Sequence, residues 1–206
     1  MPAVTFLDLP GEIRNHVYKL LLLVPSPSTP RILGSDPSLH IQILAVCRQI
    51  HEEAAEMLYG SNTFLAHPSL LSGLPRLRLY YGVISSPRSI SLIQRYHIRV
   101  RLDCDPNFSA NKASDCFSGK EELTIEVFQA QFGSSDHKVL ELFEGIRGIK
   151  KARIYGSVIA FPRYRQWLED AMMSPADVEV APFHEENDSL TSTTTGNAED
   201  ADLHMP

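Results

Sequence analysis

The sequence predicts an α+β domain, with an α/β arrangement as the alternative. In this domain, two N-terminal helices pack on a small mixed β-sheet with further helices, and an acidic disordered tail follows. Three observations support this prediction. Residues 10–59 hold two amphipathic helical patterns, strand and helix patterns alternate from residue 95 onward, and residues 184–206 contain few apolar side chains. A chain of 206 residues fits one domain.

The two N-terminal helices are predicted from apolar spacing. The first spans about residues 10–23, where Pro10 suits the first helical turn. The second spans about residues 39–59, because one apolar stripe advances in steps of 4, 3, 4 and 3. That stripe consists of Ile43, Cys47, Ile50, Ala54 and Met57. We therefore expect Cys47 to be buried. Residues 25–37 between the helices are polar and Pro-rich and are predicted to form a loop.

Strands are predicted from alternation. Tyr96, Ile98, Val100 and Leu102 alternate with Arg95, His97, Arg99 and Arg101, which indicates one buried face and one basic face. Further strands are predicted at residues 122–128, 150–156 and 176–180, and Asn62-Thr63-Phe64 is expected to start another. Helices are predicted around residues 139–146, capped by Ser135 or Asp136, and around residues 164–172.

Residues 103–115 begin like a calcium-binding loop. Phe108 replaces the glycine needed at position six, however, and Ser114 replaces the glutamate needed at position twelve. A surface hairpin connection is predicted instead.

The formal charge of −6 is concentrated at the C-terminus. Residues 184–206 hold six acidic residues and no Lys or Arg, so residues 1–183 hold 19 basic residues against 25 − 6 = 19 acidic ones. A neutral body gives no general signal for nucleic acid. Without a secretory leader or an apolar run long enough to cross a membrane, we expect an intracellular protein, cytoplasmic or nuclear, with three reduced cysteines and no membrane partner.

A metal-dependent protease is excluded by spacing. His51-Glu52-Glu53-Ala54-Ala55 begins like the zinc motif H-E-x-x-H, but Ala55 stands where the second histidine is required. Cys47 and His51 would supply only two ligands. No nucleophile–base pair and no phosphate-binding loop can be assigned from spacing. The sequence therefore predicts no catalytic residue, no metal, no cofactor and no enzyme activity.

A cluster of arginines raises one binding hypothesis. Six Arg and no acidic residue lie between Leu58 and Leu102. Arg95, His97, Arg99 and Arg101 share one face of the predicted strand. A solvated face, partly paired with Glu126 or the acidic tail, is the favoured interpretation. A docking patch for an acidic partner or for RNA is the alternative.

Two segments resemble a large fungal family of F-box-like proteins. "FLDLPGEIRNHVYKLLL" resembles the F-box opening, in which a Leu-Pro leads into an amphipathic helix. "LAVCRQIHEEAAEMLYGSNTF" resembles the family's pattern L-x-V-C-R-Q-I-x-x-E-A-x-x-x-L-Y-x-x-N-T-F. The resemblance covers roughly residues 6–66. It divides the chain into an F-box-like segment, 1–66, the remainder of the same domain, 67–183, and the tail, 184–206.

The resemblance implies protein interaction rather than chemistry. In F-box proteins the Leu-Pro segment docks on a Skp-type adaptor of a cullin–RING ubiquitin ligase, and the C-terminal part holds a protein substrate. Carried over, the docking surface would comprise Leu7, Leu9, Pro10, Ile13, Val17, Tyr18 and Leu21. A scaffold or regulatory domain without a ligase link, its N-terminal helices buried, is the second hypothesis. An RNA-contacting module using the Arg-rich strand is the third, although nucleic acid is disfavoured.

Overall fold

The predicted α+β class is confirmed by a computed structural model, which describes residues 4–24, 39–129 and 136–184. The predicted Pro-rich loop 25–37, the cap Ser135 and the tail beyond His184 lie outside the described residues. The described helices are α1 (Gly11–Leu22), α2 (Arg48–Ser61), α3 (Pro87–Leu92), α4 (Ala110–Phe117) and α5 (Pro162–Met173). Short 3-10 helices occupy Phe6–Asp8, Ile41–Ala45 and Lys138–Phe143.

Five strands form one mixed sheet in the order β2-β1-β3-β4-β5. They are β1 (Thr63–His67), β2 (Leu71–Arg76), β3 (Arg95–Arg101), β4 (Glu122–Phe128) and β5 (Lys151–Gly156). β1, β3, β4 and β5 run parallel, whereas β2 pairs antiparallel with β1. The predicted strands at 95–102, 122–128 and 150–156 are confirmed, and Thr63 does begin a strand.

Helices α1, α2, α4 and α5 contribute to a core on one face of the sheet. Tyr96 and Ile98 of β3 and Ile125 of β4 are fully buried in a cluster that includes residues of α1, α2, α4 and α5. The Tyr96 ring meets the Phe117 ring of α4 edge-on, at 5.4 Å between centroids. The alternating pattern of β3 therefore identified the core face correctly.

The predicted second helix is broken into two parts. A 3-10 helix ends at Ala45, and α2 begins only at Arg48. Cys47 between them has an extended backbone (φ −159°) and is exposed, so its predicted burial is wrong. The ring of His51 bonds the carbonyl of Leu44 at 2.9 Å and holds the two parts together. Apolar spacing cannot detect this break, since each part keeps its own apolar face.

The predicted hairpin at residues 103–115 is also wrong. β3 and β4 are parallel, which requires a crossover, and α4 supplies it. Ser109 caps α4, and Ala113 and Phe117 anchor it in the core. The helix expected at 139–146 is the shorter 3-10 helix Lys138–Phe143, and residues 176–180 form no strand.

Candidate interaction surfaces

Glu53 ties α1 to α2. Its carboxylate accepts two hydrogen bonds from the Arg14 guanidinium, at 2.9 and 2.8 Å, one from the Tyr18 hydroxyl at 2.9 Å and one from Gln49 at 3.0 Å. The Arg14 hydrogen bonds are the main reason that the pKa of Glu53 falls to about 2. Burial raises the pKa of Tyr18 to about 12, and the bond to Glu53 adds to this rise. Helices α1 and α2 thus meet in one charged network.

Asn62 makes a second connection between the same helices. It is buried at the C-terminal end of α2. Its side-chain oxygen accepts from the Val24 amide at 2.9 Å, and its amide group donates to the carbonyls of Leu22 and Leu58 at 2.8 and 2.9 Å. The end of α1 is therefore fixed against the end of α2, because one side chain satisfies backbone groups of both segments.

The opposite side of α1 carries an exposed apolar stripe, which we define as Ile13, Val17 and Leu20. Ile13 is 50% exposed and Leu20 is 71% exposed, with the half-buried Val17 between them. Spacings of four and three residues place these side chains on one face of the helix. Helix α1 is consequently two-sided, since Tyr18 and Leu22 on its other side are fully buried.

The predicted docking residues fall into three groups. Leu7, Pro10 and Ile13 are exposed, and Leu9, Val17 and Leu21 are half-buried. Tyr18 is buried on Glu53, so it lies away from the accessible surface and does not belong to a docking face. Leu20 is exposed but was not predicted. Its position seven residues after Ile13 and three residues after Val17 was the signal that could have identified it.

The sheet face opposite the helices carries most of the predicted basic patch. This open face consists of His97, Arg99 and the strand residues that lie on the same side of the sheet as these two. Those residues are Thr63, Leu65, Arg95, Arg101, Glu122, Thr124, Glu126, Phe128, Lys151, Arg153 and Tyr155. Its five Lys and Arg residues exceed its two carboxylates by three charges. The strand face is therefore basic, as predicted.

Ion pairs compensate part of this charge. Arg95 pairs with Glu121 at 3.1 Å, and Arg101 pairs with Asp103 at 2.7 Å. Glu126 lies 3.0 Å from the His97 ring and 3.3 Å from Arg99. This agrees with the favoured interpretation of a partly paired face.

His97 departs from the predicted basic patch of Arg95, His97, Arg99 and Arg101. It is only 3% exposed, although it lies in the middle of the open face. Burial lowers the pKa of His97, against the opposing effect of Glu126, and thus favours the neutral imidazole. The side chain is thus a buried polar group rather than a surface cation.

A cleft of about 500 Å³ opens beside β3. Its wall is mostly apolar and includes Leu65, Leu79 and Phe128, while Arg99, Arg101 and Asp105 are the charged residues that line it. The Arg99 guanidinium lies over the Phe128 ring, 4.9 Å from the centroid.

Comparisons with known proteins add no relative to this description: no family model matches the chain, and neither a curated protein nor a solved structure shows significant similarity to it. Across the described ranges, no three His, Cys, Asp or Glu side chains are grouped so as to hold a metal ion. The helices of those ranges are all too short or too polar to cross a membrane.

Proposed function

We propose that the protein is a non-catalytic, F-box-like adaptor. The exposed apolar stripe on α1 docks on a Skp-type adaptor of a cullin–RING ubiquitin ligase, and the open face of the sheet holds a protein substrate. The observation that supports this proposal most directly is the two-sided character of α1. One side is fixed to α2 through Tyr18 and Glu53, and the other presents Ile13 and Leu20 to solvent.

An apolar helical face exposed in this way is suited to a partner groove. Helix-in-groove recognition uses apolar side chains at the spacing that the exposed apolar stripe shows. The ordering of α1 by Arg14–Glu53 and by Asn62 lowers the entropy that binding would otherwise cost, because the helix is already in place. The stripe is therefore a preformed surface within the described part of the chain.

Direct binding to a purified Skp-type adaptor tests the proposal. Ile13→Asp and Leu20→Asp each place a carboxylate on the stripe, and we expect each to weaken binding at least tenfold, on the order of 1.4 kcal/mol. Ile159→Asp is the matched control, since Ile159 is 93% exposed and lies in the β5–α5 connection. Isothermal titration calorimetry gives the affinities, and circular dichroism checks that each variant is folded.

The proposal fails if the unchanged protein does not bind the adaptor at micromolar concentrations. It also fails if Ile159→Asp weakens binding as much as Ile13→Asp does. A loss confined to the two stripe variants supports it.

A scaffold or regulatory domain without a ligase link remains the second candidate. The burial of Tyr18 favours it, because α1 belongs to the same core as the sheet. The two candidates differ in what an affinity purification from cells recovers. If the protein is the ligase adaptor, the purification should recover cullin and Skp-type subunits, and Ile13→Asp should abolish their recovery. If it is the scaffold, the purification should recover other proteins, and Ile13→Asp should leave their recovery unchanged.

The RNA-contacting alternative rests on the arginines of β3. Arg95, Arg99 and Arg101 each have a carboxylate partner, which reduces the charge that they offer to phosphates. A titration with single-stranded RNA at 50 and 200 mM salt tests it. Undetectable or salt-insensitive binding would exclude this function.

A further inference from the structure

The cleft lies where the chain connections of the sheet diverge. The connection after β1 leads to β2, whereas the connection after β3 leads through α4 to β4, on the opposite side. Pro68 and Ser69 of the first connection and residues 104–108 of the second line the cleft. In open sheets of parallel strands, ligands bind beyond the carboxyl ends of the strands at such a point, because diverging loops leave a crevice between them. The topology of the sheet therefore favours a ligand site here.

The size and lining of the cleft suit a small organic molecule. Its volume of about 500 Å³ lies within the range of ligand pockets, roughly 300–1,000 Å³. Leu65, Val100, Phe108 and Phe128 contribute to its mostly apolar wall. An apolar molecule that packs against these side chains would lose little hydration that it cannot replace by contacts.

The charges around the cleft do not favour an anion. Arg99 pairs with Glu126 at 3.3 Å, and Arg101 pairs with Asp103 at 2.7 Å. Asp105 also lines the cleft, but it is exposed, and an ion pair formed with it in water would contribute little to binding. An ionised ligand group would therefore lose hydration without gaining a strong partner, so the lining favours an uncharged ligand.

His97 adds one polar group to this apolar lining. It lines the cleft and is only 3% exposed. Its Nε2 lies 3.0 Å from a carboxylate oxygen of Glu126, so this nitrogen carries the proton of the neutral ring and donates it. Nδ1 is then an acceptor, and it has no hydrogen-bond partner among the described residues. Because Nδ1 is closed to water, a small rotation of the ring accompanies its contact with a ligand donor.

We propose that this cleft binds an uncharged, mainly apolar small molecule that carries one hydrogen-bond donor. The apolar body of the ligand packs between Leu65 and Phe108, and its hydroxyl or N–H group donates to Nδ1 of His97. The bond satisfies a buried acceptor that otherwise lowers the stability of the protein. This inference goes beyond the proposed function and does not depend on the ligase link.

Three fluorescent probes with the same apolar skeleton test the class of ligand. N-phenyl-1-naphthylamine is uncharged and has one N–H donor, 1-anilinonaphthalene-8-sulfonate adds a negative charge, and N-methyl-N-phenyl-1-naphthylamine lacks the donor. We expect the first to bind with a dissociation constant on the order of 10 µM and the anionic probe to bind at least about tenfold more weakly. Failure of the first probe to bind would overturn the proposal, as would equal or tighter binding of the anionic probe.

Cys104→Trp tests whether the probe occupies the cleft. Cys104 lines the cleft and is exposed, so the indole should obstruct the site and weaken binding of N-phenyl-1-naphthylamine at least about tenfold. Cys47→Trp is the matched control, since Cys47 is exposed at the start of α2 and outside the cleft. Ile13→Asp is a second control, which detects binding to the exposed apolar stripe. Circular dichroism checks that each variant is folded. Binding that survives Cys104→Trp, or that either control weakens equally, would overturn the proposal.

A measurement on the unchanged protein complements these variants. The bound probe should slow the alkylation of Cys104 by iodoacetamide, relative to that of Cys47, on the order of threefold, because the ligand covers the cleft lining. Mass spectrometry of tryptic peptides gives both rates in one sample. Equal slowing of the two cysteines would contradict binding in the cleft.

His97→Phe tests the hydrogen bond to the ligand. The substitution keeps a ring of similar shape and removes the acceptor. N-phenyl-1-naphthylamine should bind this variant about fivefold more weakly than it binds the unchanged protein, whereas the N-methyl probe should bind both proteins equally. The same loss for both probes would overturn the assigned bond to Nδ1, since the donor would then make no difference.

Discussion

Replacing Asn62 with alanine should loosen α1 from α2. The substitution deletes three hydrogen bonds, to the Val24 amide and to the carbonyls of Leu22 and Leu58. A hydrogen bond contributes about 1 kcal/mol net, and a buried group left without its partner costs at least that much. The free energy of unfolding should therefore fall by about 3 kcal/mol. That is a large fraction of the roughly 5–15 kcal/mol that stabilises a typical domain.

Urea unfolding followed by circular dichroism measures this loss. The transition midpoint should fall with little change of slope, because the core is otherwise intact. An exposed apolar stripe on a loosened helix should also lose affinity for the proposed adaptor. A loss below about 1 kcal/mol would refute the idea that Asn62 is a principal connection between the two helices.

Asn62→Asp tests the chemistry of the same connection rather than its shape. The carboxylate retains an acceptor for the Val24 amide but turns a second oxygen toward the Leu22 and Leu58 carbonyls. At pH 7 this variant should be less stable than Asn62→Ala, because a buried charge faces two acceptors. Burial raises the pKa of this carboxyl above its unfolded value of about 3.9, and protonation restores a donor, so the variant should gain stability relative to Asn62→Ala as pH falls from 7 to about 4, where the gain is complete. A constant difference between the two variants across this pH range would contradict the assigned hydrogen bonds.

Three further predictions use the same unfolding assay. Gly156→Ala should lower the free energy of unfolding by about 3 kcal/mol, because Gly156 has φ +106° and an added Cβ would lie 2.1 Å from the Val127 carbonyl oxygen. A loss below about 1 kcal/mol would contradict this prediction. Tyr96→Phe should stabilise the protein by about 1 kcal/mol, since the buried Tyr96 hydroxyl has no hydrogen-bond partner among the described residues. Tyr164→Phe should instead lower the free energy of unfolding by about 1 kcal/mol, since it removes the 2.7 Å hydrogen bond from the Tyr164 hydroxyl to Glu144. Stability changes of the same sign in the two variants would refute this contrast. Because the pKa of Glu53 is lowered to about 2, its stabilising effect is complete above about pH 4.5 and is lost as pH falls toward 2. The stability gap between the unchanged protein and Glu53→Gln should therefore close between pH 5 and pH 2, and a gap independent of pH would exclude the charged network.

Periodic elements could be predicted from the sequence, and irregular ones could not. The long patterns of α1, α5, β3 and β4 each place apolar side chains on one face, so their positions follow from spacing. β2 contains Gly73 and Pro75 and has positive φ at Leu71 and Leu74, which hides it from any alternation rule. α3 has only six residues, and α4 anchors through two buried side chains. Short elements of this kind are fixed by tertiary packing.

The candidate surfaces were predictable to a similar degree. The resemblance to the F-box-like family named Ile13 and Val17, and alternation identified the face that bears Arg99. The pairing of Arg14 with Glu53 joins residues 39 apart, and no local pattern carries that information. The burial of His97 was hidden for a related reason, because it depends on neighbouring strands and on Glu126.

The fixed position of α1 bears on both candidate functions, the ligase adaptor and the scaffold. A helix held by Glu53 and Asn62 cannot rotate to bury Ile13 and Leu20 without breaking a charge-assisted network and three further hydrogen bonds. The exposed apolar stripe is therefore a consequence of the same residues that integrate α1 into the core. Core membership and partner binding are then compatible, since they use different sides of one helix. It follows that stripe substitutions should affect partner binding with little effect on stability, whereas Asn62→Ala should affect both.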